Sequence, residues 1–230
     1  VRSAFRIAKE GRPGPVLIDI PKDVTAAICE YEPEVPEPIE RLTDYVRTSD
    51  LNKAAEMINE SQKPFVLVGG GMIISDADAE LKTFVDKIQA PVCDTLMGKG
   101  AYDGRSENYT GMVGMHGTKA SNLGLTKCDL LIVMGARFSD RVIGDPSKFA
   151  TQAKILHIDI DAAEINKNIT VDCSIQGDAR EVLRKLIPMI EEKDRSSWLK
   201  EVEELMARFP LKFNHDTLTG PAVIEALYEA

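Results

Sequence analysis

Two arginines and a carboxylate stand together in Gly135-Ala136-Arg137-Phe138-Ser139-Asp140-Arg141-Val142, directly after the apolar run Leu130-Leu131-Ile132-Val133-Met134. A guanidinium can fork onto a phosphate through two parallel hydrogen bonds, so this loop has the means to hold an anionic ligand. An exposed, solvated charged loop is the alternative. A second run, Phe65-Val66-Leu67-Val68, opens onto Gly69-Gly70-Gly71, where missing side chains let backbone N–H groups approach a ligand, a phosphate above all, at the start of the next helix. The cluster does not complete a GxGxxG, and a tight strand-to-helix turn explains it equally well. A third run, Lys154 to Asp159, ends in Asp159-Ile160-Asp161. A carboxylate at such a strand end accepts ribose hydroxyls, and Asp161 can also cap a helix. Gly111-Met112-Val113-Gly114-Met115-His116-Gly117-Thr118 reads as an irregular stretch opening onto a helix, with Met115 and His116 able to flank an aromatic ring. No nucleophile accompanies His116, which favours a structural hydrogen-bonding role for it. His157 reads as a buried structural residue within a strand, and His215 stands in a late loop without a visible partner. With no Ser-His-Asp order, histidine metal cluster or paired carboxylates, the residues supply no self-contained catalytic apparatus.

What must position these groups is an alternation of helices and strands. Leu51 to Ile58 has helical spacing with Ser49 or Asp50 as N-cap, followed by the strand Phe65–Val68. Helices near Ala77 to Gln89 and Thr118 to Thr126 precede the strands Pro91–Asp94 and Leu130–Met134. Strands Lys154–Asp159 and Ser174–Gln176 lead to a long helix, Ala179 to Glu191. Continuous apolar strands separated by helices predict an α/β domain with a doubly wound parallel sheet and helices on both faces. Ligands of such folds sit beyond the carboxyl ends of the strands, where all these motifs fall.

Four segments are expected. Residues 1–30, with a helix at Ala4 to Glu10 and a strand at Val16–Ile20, read as the closing elements of a domain that starts earlier. Residues 31–48, holding Pro33, Pro36 and Pro38 among glutamates, read as an extended linker. Residues 49–193 form the doubly wound domain, and 194–230 a linker with helices at Ser197–Leu205 and Gly220–Tyr228 leading into a further domain. Both ends read as cut.

A formal net charge of −9 over 230 residues with no basic run argues against nucleic acid as a partner. No apolar stretch approaches the ~20 residues of a membrane-spanning helix, so no membrane partner is expected. Cys29, Cys93, Cys128 and Cys173 form no CxxC pair, which predicts neither zinc nor a disulfide framework and makes a reducing cytoplasm the expected location.

Gly11-Arg12-Pro13-Gly14-Pro15-Val16-Leu17-Ile18-Asp19-Ile20-Pro21-Lys22-Asp23-Val24, Gly114-Met115-His116-Gly117-Thr118 and the Gly135–Val142 segment resemble the large catalytic subunit of the acetolactate synthases, also called acetohydroxyacid synthases. The first motif is shared loosely among thiamine-diphosphate enzymes. The other two, with His157-Ile158-Asp159-Ile160-Asp161, are characteristic of the FAD-containing synthases, and the likeness runs along essentially the whole chain. The resemblance implies three α/β domains in the full subunit, the central one binding FAD, of which this chain would carry the tail of the first, the whole second and the lead into the third. The activating glutamate of the thiamine site would lie upstream and the GDG-type Mg²⁺ motif downstream, so this chain alone would be inactive, with no catalytic residue and no metal ligand of its own.

The implied reaction of the full enzyme condenses two pyruvates to 2-acetolactate, or pyruvate with 2-oxobutyrate, releasing CO₂ in branched-chain amino-acid biosynthesis. Thiamine diphosphate and Mg²⁺ would be bound mainly by other domains; FAD would perform no net redox step. Implied partners are the remaining domains of the subunit, further copies in a homo-oligomer, and a regulatory small subunit. Carried over by residue, Arg12, Gly69, Gly70, Gly71, Leu96, Met115, His116, Gly117, Thr118, Gly135, Ala136, Arg137, Arg141, Val142, Asp159, Ile160, Gly177 and Asp178 would hold FAD. Lys22, Met115, Asp140 and Arg141 would border the substrate channel. Ser139 stands where many members carry Asp; with Asp140 and Arg141 retained, cofactor binding is expected to be undisturbed. Two alternatives remain: another FAD-containing thiamine enzyme, such as pyruvate oxidase or glyoxylate carboligase, or a noncatalytic module binding ADP or NAD.

Overall fold

The computed structural model describes residues 1–33, 35, 46–214 and 216–230. His215, Pro36 and Pro38, with most of the expected linker, lie outside the described residues. The chain begins with helices α1 (Arg2–Lys9) and α2 (Lys22–Ala26), which bury no side chain. Between them the expected strand Val16–Ile20 does not form: the segment joins no sheet among the described residues, and Leu17 is 87% exposed. An apolar pattern makes a strand only where a neighbour completes the hydrogen-bond ladder, and among the described residues none bonds its backbone to this segment.

Helix α3 (Thr48–Glu60) then leads into strand β1 (Pro64–Val68). Its N-cap is Arg47, without a side-chain cap; Ser49 lies inside the helix and bonds Asp50 rather than capping it. Short helix α4 (Gly70–Ile74) and α5 (Asp78–Ile88) follow, then β2 (Val92–Asp94). Part of the stretch read as irregular is strand β3 (Tyr109–Met112), which precedes α6 (Lys119–Lys127) and β4 (Leu130–Met134). One-turn helix α7 (Asp140–Ile143), strands β5 (Lys154–Asp159) and β6 (Cys173–Gln176), and α8 (Ala179–Leu186) complete the layered unit. Helix α8 is shorter than expected because Pro188 has no N–H to continue the α-helical hydrogen-bond ladder, and a 3₁₀ turn, Ile187–Met189, takes over although Ile187 itself keeps helical backbone.

The six strands lie parallel in the order β3-β2-β1-β4-β5-β6. This is the doubly wound arrangement, in which the chain works outward from β1 to one edge and returns to build the other half. Both faces of the sheet are covered, which explains the unbroken apolar runs. Val66, Val68, Ile132 and Met134 pack under α3, α5 and α8, whereas Phe65, Leu67, Leu131 and Val133 face the side of α6.

That second face is closed by α9 (Ser196–Arg208), whose Trp198, Val202 and Leu205 are buried. Trp198 packs in the same core cluster as Phe65 and Leu131, and its indole Nε1–H donates to Pro64 O at 2.8 Å. Just before the helix, the buried Arg195 guanidinium donates to Ile58 O, Ser61 O and Ile88 O, the free carbonyls where α3 and α5 end. The boundary expected after Lys193 therefore falls inside a segment packed on the sheet. Helix α10 (Gly220–Glu229) buries no side chain. The four cysteines are free thiols.

Candidate functional site

At the carboxyl edge, β1 and β4 leave the sheet side by side, with Val68 opposite Met134. The two chains then separate, and the crevice between them is where this topology receives ligands. Their exit is tightly packed: Gly69 N–H donates to Met134 O at 2.9 Å, Gly71 N–H to Gly135 O at 3.0 Å, and Gly135 N–H to Ile158 O at 2.8 Å. Gly135 adopts φ +58°, and a Cβ on it would stand 2.6 Å from Gly71 Cα. Gly69 and Gly71 thus serve the passage of one chain against another, and their N–H groups are spent on carbonyls rather than offered to a ligand.

A cleft of about 450 Å³ opens above this crossing. Of the residues expected at a cofactor, Arg12, Gly70, Gly71, Leu96, His116, Gly135, Ala136, Arg137, Arg141, Val142, Asp159, Ile160, Gly177 and Asp178 line it. All six strand ends and the 11–13 segment converge there. Gly69, Met115, Gly117 and Thr118 do not line it, nor do Lys22 and Asp140. Thr118 turns into the fold, where its Oγ1 donates to Thr110 O at 2.7 Å and accepts from Ser121 N–H at the start of α6. Gly117 is pressed against Met112 O, 2.4 Å from where its Cβ would be. Met115 is 73% exposed, Lys22 opens the exposed α2, and Asp140 opens α7.

Sequence reasoning missed Thr95 and Met97 after β2, Ile74 and Ser75 one turn beyond the triple glycine, and Met112, Val113, Phe138, Ser139, Ile158 and Ala179, as well as Gly11 and Pro13 beside Arg12. The signal available for Thr95 and Met97 was the rule already applied to the other strands, since they follow the carboxyl end of a parallel strand.

The two loops singled out by sequence are joined. Met115 N–H donates to Arg141 O at 2.9 Å, and Gly114, at φ +98°, lies so close to Arg141 O that a Cβ would be 2.3 Å away. Asn122 holds Gly114 from below through both its N–H and its C=O, at 2.9 and 3.1 Å. His116 is exposed on this loop, and no side-chain hydrogen bond is formed by it among the described residues. The structural bonding role expected for His116 is therefore absent from the fold; its ring faces the cleft.

The cleft's polar groups differ in how committed they are. Arg12 Nη1 bridges Asp161 Oδ2 at 3.2 Å and Glu164 Oε1 at 3.1 Å. Burial works against its charge, but those two carboxylates outweigh it and hold the guanidinium pKa above the ordinary arginine value. Arg141 lies 3.6 Å from Asp140, both well exposed. Asp159, 7% exposed, accepts Asp161 N–H through Oδ1 at 2.9 Å. Asp178 caps α8 by accepting Arg180 N–H and Glu181 N–H, and Asp161 caps the 3₁₀ turn Ala162–Glu164. His157 is fully buried, its Nε2–H donating to Ala136 O at 3.0 Å.

Taken together, the cleft offers guanidinium groups for phosphates, a carboxylate at a strand end for sugar hydroxyls, and an apolar rim of Ile74, Leu96, Met97 and Val142 for a ring system. Among the described residues, no cluster of three or more His, Cys, Asp or Glu is placed to hold a metal ion. Nor is any helix among them long and apolar enough to cross a membrane.

Residues 51–186 match the family described as thiamine pyrophosphate enzyme, central domain. The chain belongs to this family. Among curated relatives, this central-domain chain is 48% identical over 213 residues to a probable acetolactate synthase large subunit of Methanocaldococcus jannaschii, covering 89% of the chain and 36% of that protein. It is 43% identical over 234 residues to the acetolactate synthase large subunit of Corynebacterium glutamicum, covering 97% of the chain and 37% of the relative. Acetolactate synthase isozyme 1 large subunit of Escherichia coli is 42% identical over 207 residues, covering 90% of the chain and 36% of the relative. The chain thus spans little more than a third of the length of these three relatives.

Proposed function

We propose that this chain is the FAD-binding central part of a thiamine-diphosphate-dependent acetolactate synthase large subunit, and that the full enzyme joins two 2-oxo acids with loss of CO₂. The observation that carries the reading is the cleft at the β1/β4 divergence, where Arg137, Arg141 and Asp159 converge beside an apolar rim. Those groups fit a flavin dinucleotide by charge, hydrogen-bonding capacity and apolar surface. The relatives named acetolactate synthase large subunit support the same assignment.

On this reading Arg137 and Arg141 hold phosphate, Asp159 and Ile160 the adenosine end, and Leu96 and Val142 pack against ring surface. Gly177 and Asp178 close the site, while Lys22, Met115, Asp140 and Arg141 border the path of substrate. Thiamine diphosphate supplies the electron sink of the reaction, and the segments that bind it and Mg²⁺ belong to the rest of the subunit. Residues 1–30 then close a preceding domain and the stretch beyond α9 leads toward a following one, and this chain by itself forms no acetolactate. Its partners are the other domains, further copies of the subunit and a regulatory small subunit, in the cytoplasm.

Flavin fluorescence quenching on the 230-residue chain tests the assignment. Saturable FAD binding, weakened about ten-fold by Arg137→Ala, is the expected result, ten-fold corresponding to about 1.4 kcal/mol. Tighter binding of NAD or ADP than of FAD would overturn the flavin assignment. Product analysis of the full-length enzyme with pyruvate separates the chemistries: acetolactate is expected, and acetyl phosphate or tartronate semialdehyde would refute it.

A further inference from the structure

Arg12 is shared by two carboxylates and Arg141 lies beside Asp140, whereas the Arg137 guanidinium lines the cleft with no ion pair or hydrogen bond among the described residues. It is the cleft arginine best placed to meet an incoming anion, so what aims it matters. Its loop is conformationally costly: Gly135 at φ +58° is followed three residues later by Phe138 at φ +51°, a left-handed backbone that an aromatic side chain adopts only when its surroundings enforce it.

The enforcement comes from beneath. Three consecutive carbonyls are tied down: Ala136 O accepts His157 Nε2–H at 3.0 Å, while Asn168 Nδ2 donates to Arg137 O at 3.3 Å and Phe138 O at 3.0 Å. The Phe138 ring is clasped edge-on between His157, with centroids 4.9 Å apart, and Phe149, 5.9 Å apart. Neither His157 nor Asn168 lines the cleft. Every carbonyl from 136 to 138 is thus held by groups outside the cleft, while Arg137 lines it.

We infer that Asn168 and His157 are positioning residues, which hold the Ala136–Phe138 backbone, left-handed at Phe138, so that Arg137 presents its guanidinium to the anionic part of the ligand. The inference rests on the reading of the cleft as an FAD site. It predicts an energetic coupling: removing the Asn168 amide should matter only while Arg137 is there to be aimed.

The experiment is a double-mutant cycle on this chain, read by FAD titration. Asn168→Ala, at an exposed position, is expected to weaken FAD binding about five-fold in the parent background and less than two-fold in the Arg137→Ala background, with unfolding midpoints unchanged. His157→Gln, which keeps an N–H donor for Ala136 O, is expected to bind within about two-fold of the parent, and His157→Leu to bind distinctly more weakly. Equal weakening by Asn168→Ala in both backgrounds, or none in the parent, would overturn the inference and leave the FAD reading intact. Failure of the unsubstituted chain to bind FAD would overturn both.

Discussion

A methyl group added at Gly135 would be forced both into a left-handed backbone and to within 2.6 Å of Gly71 Cα. Gly135→Ala is therefore expected to lower the stability of the chain by about 2–4 kcal/mol in urea unfolding, well above the cost of an ordinary glycine replacement. A loss below about 1 kcal/mol would mean that the β1 and β4 exits move apart easily. The same residue shows where reading the sequence stopped. Arg137, Arg141 and Asp159 could be placed at a cleft because each follows an apolar run, and the carboxyl ends of parallel strands converge. Gly69 and Gly71 could not be read correctly, because a missing side chain records that space is needed without recording whether a ligand or another backbone fills it. Asn168 carried no signal: it is a polar residue in a loop, and only the fold brings its amide to two carbonyls of a distant loop.

The elements that were legible are those whose pattern is local. Strands β1 and β4 are uninterrupted apolar runs, and both faces of each are covered, so run and strand coincide; β5 keeps Ile155, Leu156 and Ile158 apolar around the buried His157. Strand β3 was hidden because it is short, half-buried and contains Gly111 at φ +96°; its pairing with β2 also shifts register between Val92 and Cys93. Val16–Ile20 was misread for the opposite reason, having the pattern without a partner. Helix α9 was recognised as amphipathic, but what it covers is invisible locally: Trp198, 2% exposed, lies on the sheet face built by Phe65 and Leu131. Trp198→Ala is expected to cost about 3–5 kcal/mol in chemical unfolding, the range for removing a large buried aromatic. A cost below about 1 kcal/mol would show that α9 is not integral to the unit.

For the whole molecule, stability should fall at both ends of the pH scale for reasons that can be assigned. Lys127 and Lys63 donate to Glu201 at 2.8 and 2.7 Å and hold its carboxyl below the usual value near 4.5. Burial favours neutral Glu80, but hydrogen bonds from Arg180 and Arg184 outweigh it and depress that carboxyl too. Groups with depressed folded pKa values contribute stability that is present above the ordinary carboxylate value and lost as pH falls through the folded one. Burial, with the 2.7 Å bond to Asp94, raises the Tyr109 phenol above its usual value near 10.0, so that contribution is full below pH 10 and lost as pH rises beyond it. Calorimetric midpoints are expected to decline below about pH 4.5 and above about pH 10, the acid limb shrinking in Glu80→Gln and the alkaline limb in Tyr109→Phe. Unchanged limbs in those variants would refute the assignment.

The strand order also has a consequence in time. Pro64 to Val68 pairs with Val92 to Asp94 on one side and with Leu130 to Met134 on the other. As the chain leaves the ribosome, the first half of the sheet can assemble early, yet its central strand keeps an open, apolar edge until the fourth strand has been made. Such an edge invites pairing with another nascent chain, and closing it requires contacts distant in sequence, which are slow to form. The crevice that receives the ligand does not exist before that closure, so anything that binds there can select only molecules whose two halves have already met.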